Sequence, residues 1–210
     1  MRFQRIVTCL VALTLCLGLF GCMASQEVHS PASTTATTVP ETTAPPTTLP
    51  AVTLPDHVEV FREGESSQIP VETVQGTVGD YLIAIDPEYF TFSSHETVDM
   101  FSYDGWDYDM PVYFCVSAYE KEDPQEFIDD VIGQFGSQYQ AIDLEDTTIG
   151  SYRATAVYLR RCTENTDYHK HVFLIDCGAQ KYILEAQFVT EMYEGLYAIM
   201  RALFDTFTAL

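Results

Sequence analysis

Between Ser25 and Pro55 the chain runs through "SPASTTATTVPETTAPPTTLPAVTLP", with no aromatic residue and almost no charge. Thr, Pro, Ser and Ala dominate it. Such a tract cannot bury enough apolar surface to offset the entropy of ordering it, so it reads as a disordered spacer. Its prolines favour an extended path of roughly 3.1 Å per residue, or on the order of 100 Å fully drawn out. Every residue able to build a core must therefore come from outside this tract. The reading divides the chain into a leader at 1–21, a modified cysteine with its spacer at 22–56, and one folded domain at 57–210.

The leader opens with basic "MRFQR", continues with "IVTCLVALTLCLGLFG" and ends at Cys22. A short basic segment before about 16 apolar residues is a signal-peptide pattern, and the run is shorter than the roughly 20 residues a membrane-crossing helix needs. Gly21 before the cysteine, with Leu19 three residues before it, resembles the lipobox of bacterial lipoproteins. That resemblance implies a diacylglycerol on the Cys22 thiol, an added acyl chain such as palmitate, and cleavage just before Cys22. An ordinary secretory signal or an uncleaved anchor are the alternatives. A lipid anchor plus a long spacer places the domain on the outer face of a cell membrane, as in a Gram-positive bacterium.

The domain is acidic. The whole chain has a formal net charge of −21, and from His57 onward 28 acidic side chains face 8 basic ones. This excludes nucleic acid as a partner, since that binding rests on neutralising phosphates with Lys and Arg. It equally disfavours the folded part lying flat on an anionic membrane. A basic partner or bound cations fit it, and so does a merely self-repelling surface.

The 154 residues from 57 to 210 suit one domain with a core. Alternating or apolar segments read as strands: "HVEVFR", "IPVETVQG", "DYLIAIDP", "YFTFSS", "VDMFSY" and "MPVYFCVSAY". The period then changes. "DPQEFIDDVIGQFG" offers Asp123 as N-cap, Pro124 at the first helical position and Glu126 three residues after the cap. Phe127, Val131, Ile132 and Phe135 make its apolar stripe. "DLEDTTIG" reads as an acidic loop, followed by strands "YRATAVYLRR", "YHKHVFLIDC" and "KYILEAQFV". The last two form a hairpin around Gly178. Thr190 caps a final helix, "EMYEGLYAIMRALFDTF", whose stripe from Tyr193 through Leu196, Tyr197, Met200, Leu203 and Phe204 to Phe207 reads as core.

The expected fold class is α+β, an antiparallel sheet flanked by helices. The order of elements resembles the PsbP-like family on Tyr81, Ile83, Asp86, Pro87, Tyr89, Phe90, Ile149, Gly150 and Phe207. That resemblance covers about 80–210. It implies an α/β/α sandwich and a role in binding or assembly rather than catalysis, with no functional residue transferred.

Three groups of residues are candidate sites. Asp104, Asp107 and Asp109 surround the lone Trp106 and offer oxygen ligands for Ca²⁺ or an aromatic contact for a small ligand or glycan. A plain connecting loop explains them as well. His169 and His171 share one face of a strand and are weak metal candidates, with Glu164 or Asp167 nearby. Glu63, Glu65, Glu120, Glu122 and Asp123 could supply paired carboxylates. No catalytic signature is present, so catalytic residues and cofactors are both expected to be none. Three cysteines lie in the domain. A hairpin loop at 163–168 puts Cys162 opposite about His169 and Cys177 opposite about Ala154. That separation exceeds 20 Å at about 3.3 Å per residue, so Cys162–Cys177 is excluded and only Cys115 could pair with either.

The resulting expectation is a membrane-tethered envelope lipoprotein, not an enzyme, whose acidic domain binds or helps assemble another envelope component. A calcium or small-ligand receptor is the alternative, and a surface hydrolase a third.

Overall fold

The computed structural model describes residues 52–105, 110–164 and 166–210. Cys22, the leader and the spacer up to residue 51 lie outside the described residues, and so do Trp106, Asp107 and Asp109.

Seven strands form one antiparallel sheet: β5 (Phe90–Ser94), β6 (Asp99–Tyr103), β7 (Val112–Tyr119), β8 (Gln140–Ile149), β9 (Tyr152–Cys162), β10 (Asp167–Asp176) and β11 (Lys181–Val189). Their spatial order is β5-β6-β7-β11-β10-β9-β8. A hairpin of β1 (His57–Arg62) and β2 (Glu65–Pro70) and a small sheet ordered β12-β4-β3 complete the strands, with β3 at Glu72–Gln75, β4 at Tyr81–Ile85 and β12 at Thr208–Ala209. The hairpin turns on Glu63 and Gly64, both at positive φ, the two-residue turn whose twist matches the flanking strands. Helix α1 spans Pro124–Phe135 and α2 spans Leu196–Phe204.

Alternation sends successive residues of each strand to opposite faces. One face carries Phe101, Phe114, Phe173 and Phe188, all buried, and receives α2 together with β1 and β4. Phe204 of α2 meets Phe114 edge-on at 5.3 Å, and Phe207 stacks on Tyr81 at 5.2 Å. The other face receives α1, whose Phe127 meets Tyr119 edge-on at 5.9 Å. Burying each such ring is worth about 1.5–3 kcal/mol, so these stacks hold the layers together.

The expected helix-flanked α+β sandwich is corrected. Strands hold 53% and helices 16% of the described residues, so the domain is mainly a large antiparallel sheet. Two segments account for the difference. All of "DLEDTTIG" but its final Gly150, read as a loop, lies within the ten-residue edge strand β8, which is polar because most of it is exposed. The final helix is nine residues long. Thr190–Met192 form a separate 3₁₀ turn, and Gly195 opens α2 without a side-chain cap, so Thr190 is not its cap.

Most other strand segments and α1 stand where the pattern put them, but "IPVETVQG" is divided between the end of β2 and β3, and β2 begins earlier, at Glu65. Asp123 accepts a hydrogen bond from the Gln125 N–H at 2.8 Å, satisfying one donor of the first turn. Ile132 is exposed, however, and Ile128 packs toward the core in its place. Gly150, at φ +55°, makes the β8–β9 turn, where a Cβ would lie 2.9 Å from the Asp205 carbonyl oxygen. The thiols of Cys115, Cys162 and Cys177 are free. Cys162 pairs with Asp167 rather than His169, because the hairpin loop is shorter than expected.

Candidate functional site

The site begins with one extra residue. In β8, Ala141 pairs with Leu159 and Asp143 with Tyr158, so Ile142 is bulged out of register. A bulge reverses which side chains face which side downstream of it. Beyond Ile142, Asp143 and Glu145 share the face of Tyr158, and Leu144 turns to the opposite one. Without that bulge, Leu144 would take the place of the carboxylates.

Across β9, Tyr158 pairs with His171 of β10, and His169 follows on the same face. The 3₁₀ turn and the start of α2 bring Tyr193 and Tyr197 over them. These residues, with Ile142, enclose a cleft of about 480 Å³. Tyr158 and His171 stand edge-to-face with centroids 4.6 Å apart and planes at 74°. His171 and Tyr197 do the same at 4.7 Å and 85°, and Tyr193 tilts against Tyr197 at 5.2 Å. Two of these pairs meet near right angles and the third at 36°, so the rings do not form one flat platform. Sequence periodicity assigned Tyr193 and Tyr197 to the core. Tyr193 is in fact 47% exposed and Tyr197 half-buried, because the Gly195 break ends the continuous helical stripe.

His171 is only 4% exposed. Burial, reinforced by His169 and Arg201, lowers its pKa to about 3, so the ring is neutral at ordinary pH. His169 is also lowered, by burial and then Arg160, against an opposing pull from Asp167. Its Nε2 lies 2.9 Å from Thr190 Oγ1. Among the described residues, Nδ1 of His169 and Nδ1 of His171 are buried with no hydrogen-bond partner. At the rim the Tyr158 hydroxyl donates to Glu145 at 3.1 Å, and burial followed by that carboxylate pushes Tyr158 up to about 12. The nearby cations are engaged. Arg160 bonds Asp167, while Arg201 donates to the Thr148 carbonyl at 2.6 Å and lies 3.4 Å from Asp205. Asp143 and Glu145 are thus left as the charge at the mouth.

The structure brings His169 and His171 together as alternation required, but no metal set forms around them. Among the described residues no group of three or more His, Cys, Asp or Glu side chains is arranged to hold a metal ion. Asp167, a suggested third ligand, is spent on Arg160. Asp104 is exposed and accepts from Thr91 Oγ1 at 3.3 Å, and its companions lie outside the described residues. Glu122 bonds Lys181 at 3.0 Å and Asp123 caps α1, so neither forms a free carboxylate pair. Among the described helices none is long and apolar enough to cross a membrane.

No family model matches this chain, and no curated protein sequence matches it. Solved structures with some likeness include a Bacteroides thetaiotaomicron protein at 14% identity and TM-score 0.41, covering 62% of this chain. This chain spans 45% of that protein's length. LpqN of Mycobacterium tuberculosis, involved in cell envelope biogenesis, matches at 14% identity and TM-score 0.45, covering 66% of this chain and 89% of LpqN. A Pseudomonas aeruginosa protein of unknown function matches at 12% identity and TM-score 0.38, covering 63% and 95%. At these values no property of those proteins transfers to this one.

Proposed function

We propose that the chain is a lipid-anchored envelope protein whose β-rich domain is a non-catalytic binding module for a positively charged envelope component. One observation carries the reading: a ring-walled cleft, unfilled by the domain's own side chains, opens beside two exposed carboxylates on an acidic domain. Charge of one sign steers an oppositely charged partner and fixes its orientation. The tether reading rests on the sequence before residue 57, where Cys22 would carry the lipid and the spacer would hold the domain off the membrane.

Crosslinking through Tyr193 on intact cells should capture a basic envelope partner, with capture reduced in the Asp143→Asn/Glu145→Gln variant. No capture where known envelope complexes survive would overturn the reading. Mass spectrometry of the mature N-terminus should find lipid on Cys22, and an unmodified chain starting at Met23 would contradict the tether.

A further inference from the structure

Most other polar clusters in the domain are closed by their own hydrogen bonds. Asp99, fully buried, accepts from the backbone N–H groups of Thr77 and Val78 and from the hydroxyls of Thr77 and Tyr81. Burial works to raise its pKa, yet those bonds outweigh it and hold the carboxyl below its usual range. A hollow near Asp146 and Arg153 on the α1 side contains Lys181, which lies 3.0 Å from Glu122 and 3.8 Å from Asp176. The cleft at His171 differs, because two exposed carboxylates and three tyrosines line a space that the protein's own side chains leave open.

We propose that this cleft is a recognition site for an alkylammonium group. The assignment rests on the binding-module reading and names the chemistry of its ligand. Three features of the geometry converge on that chemistry. Tyr158, Tyr193, Tyr197 and His171 line the cleft with four aromatic rings set at several angles to one another, and aromatic rings attract a compact cation. A sugar ring would favour a coplanar stacking surface. Asp143 and Glu145, aimed by the Ile142 bulge, supply counter-charge at the opening. His171, 4% exposed and packed between Tyr158 at 4.6 Å and Tyr197 at 4.7 Å, fixes the two tyrosine rings of that wall.

The charged groups facing the cleft support the sign. Arg201, on the neighbouring side of Tyr197, is neutralised by Asp205, and Arg160 by Asp167, leaving the two carboxylates in excess. The volume of about 480 Å³ admits a trimethylammonium group with part of its chain.

The test is calorimetric titration of the full chain in a maltoside detergent, which carries no ammonium of its own. The probes are choline, its neutral isostere 3,3-dimethylbutan-1-ol, and Nα-acetyl-lysine methylamide. Choline or the lysine amide should bind at least tenfold more tightly than the neutral isostere. A preference for choline points to a free or lipid-borne quaternary ammonium, and a preference for the lysine amide points to a peptide. The Asp143→Asn/Glu145→Gln variant changes only exposed side chains and should keep its melting temperature while losing about tenfold in cation affinity. Tyr197→Leu should lose more. Equal affinity for cation and isostere, no binding by any probe, or unchanged affinity in both variants overturns the proposal. If crosslinking still captures a partner in that event, the ammonium assignment falls alone and the binding module stands.

Discussion

Lys170 and His171 are neighbours on β10, and alternation sends them to opposite faces of the same sheet. Both are buried, at 2% and 4% exposure. Lys170 is fully occupied. Its ammonium bonds Glu185, donates to the Tyr113 hydroxyl at 2.8 Å and sits 4.5 Å from the centre of the Phe135 ring. Tyr139 closes the cluster by donating to Gln187 at 2.8 Å. His171, one residue on, stands among tyrosines with its Nδ1 unpartnered among the described residues. A buried polar group that the fold satisfies completely belongs to the architecture. One that the fold leaves unsatisfied costs stability, and function is the common reason for keeping it.

The largest expected effect breaks the satisfied side. Lys170→Ala removes one partner of a buried pair and strands Glu185, at a cost of about 3–5 kcal/mol in urea unfolding. The double variant Lys170→Met/Glu185→Leu should recover much of that loss, because no uncompensated charge remains. A single-variant loss below about 1 kcal/mol would mean that the pair is not closed as described.

The next effect probes the other side through pH. His171 has its pKa depressed in the folded state, so the unfolded chain binds the extra proton. Its contribution is therefore fully present above the unfolded value near 6.5 and is lost as pH falls toward about 3. Stability should fall on acidification by up to about 1.4 kcal/mol per pH unit from this group, with His169 acting in the same direction. His171→Leu should flatten most of that slope in unfolding curves taken between pH 4 and pH 7. An unchanged slope would place the acid sensitivity elsewhere.

How far the sequence foretold this contrast depends on the strand. Alternation in "YHKHVF" already places His169 and His171 on one face and Lys170 on the other. It does not reveal what they meet, because registers with β9 and β11 are set by turns whose lengths differ from the pattern. The Asp123 cap of α1 was legible because a cap, a proline and a glutamate act locally. Strand β8 was not, since an exposed edge strand need not be apolar on either side, and acidic side chains suit it as protection against edge pairing. The Ile142 bulge and the break at Gly195 were hidden for the same reason. Each is a tertiary choice that moves a carboxylate or a tyrosine into the cleft without leaving a periodic trace. The extra carboxylates and rings of the site were therefore missed, although both histidines were found.

A smaller effect follows from the three thiols. Cys115 lies beside Glu185 on the α1 face and burial pushes it up to about 12, while burial of Cys177 raises it to about 11. Cys162 is exposed. Peptide mapping after brief native alkylation should find Cys162 modified first, with Cys115 protected as long as the α1 face stays closed. After denaturation without reductant all three should label. A recovered Cys162–Cys177 peptide would contradict the register described for β9 and β10, and a bridge through Cys115 would contradict the free thiols.

The contrast between the two faces is tested most directly by the choline-dependent shift in melting temperature of the wild type and of His171→Leu at pH 7. If the cleft is a recognition site, His171→Leu starts within a few degrees of the wild type or above it. Choline then raises the wild-type midpoint, as any ligand of the folded state must, and leaves the variant where it was. A variant that melts far below the wild type, yet still responds to choline in parallel with it, would make His171 a packing residue and contradict the account.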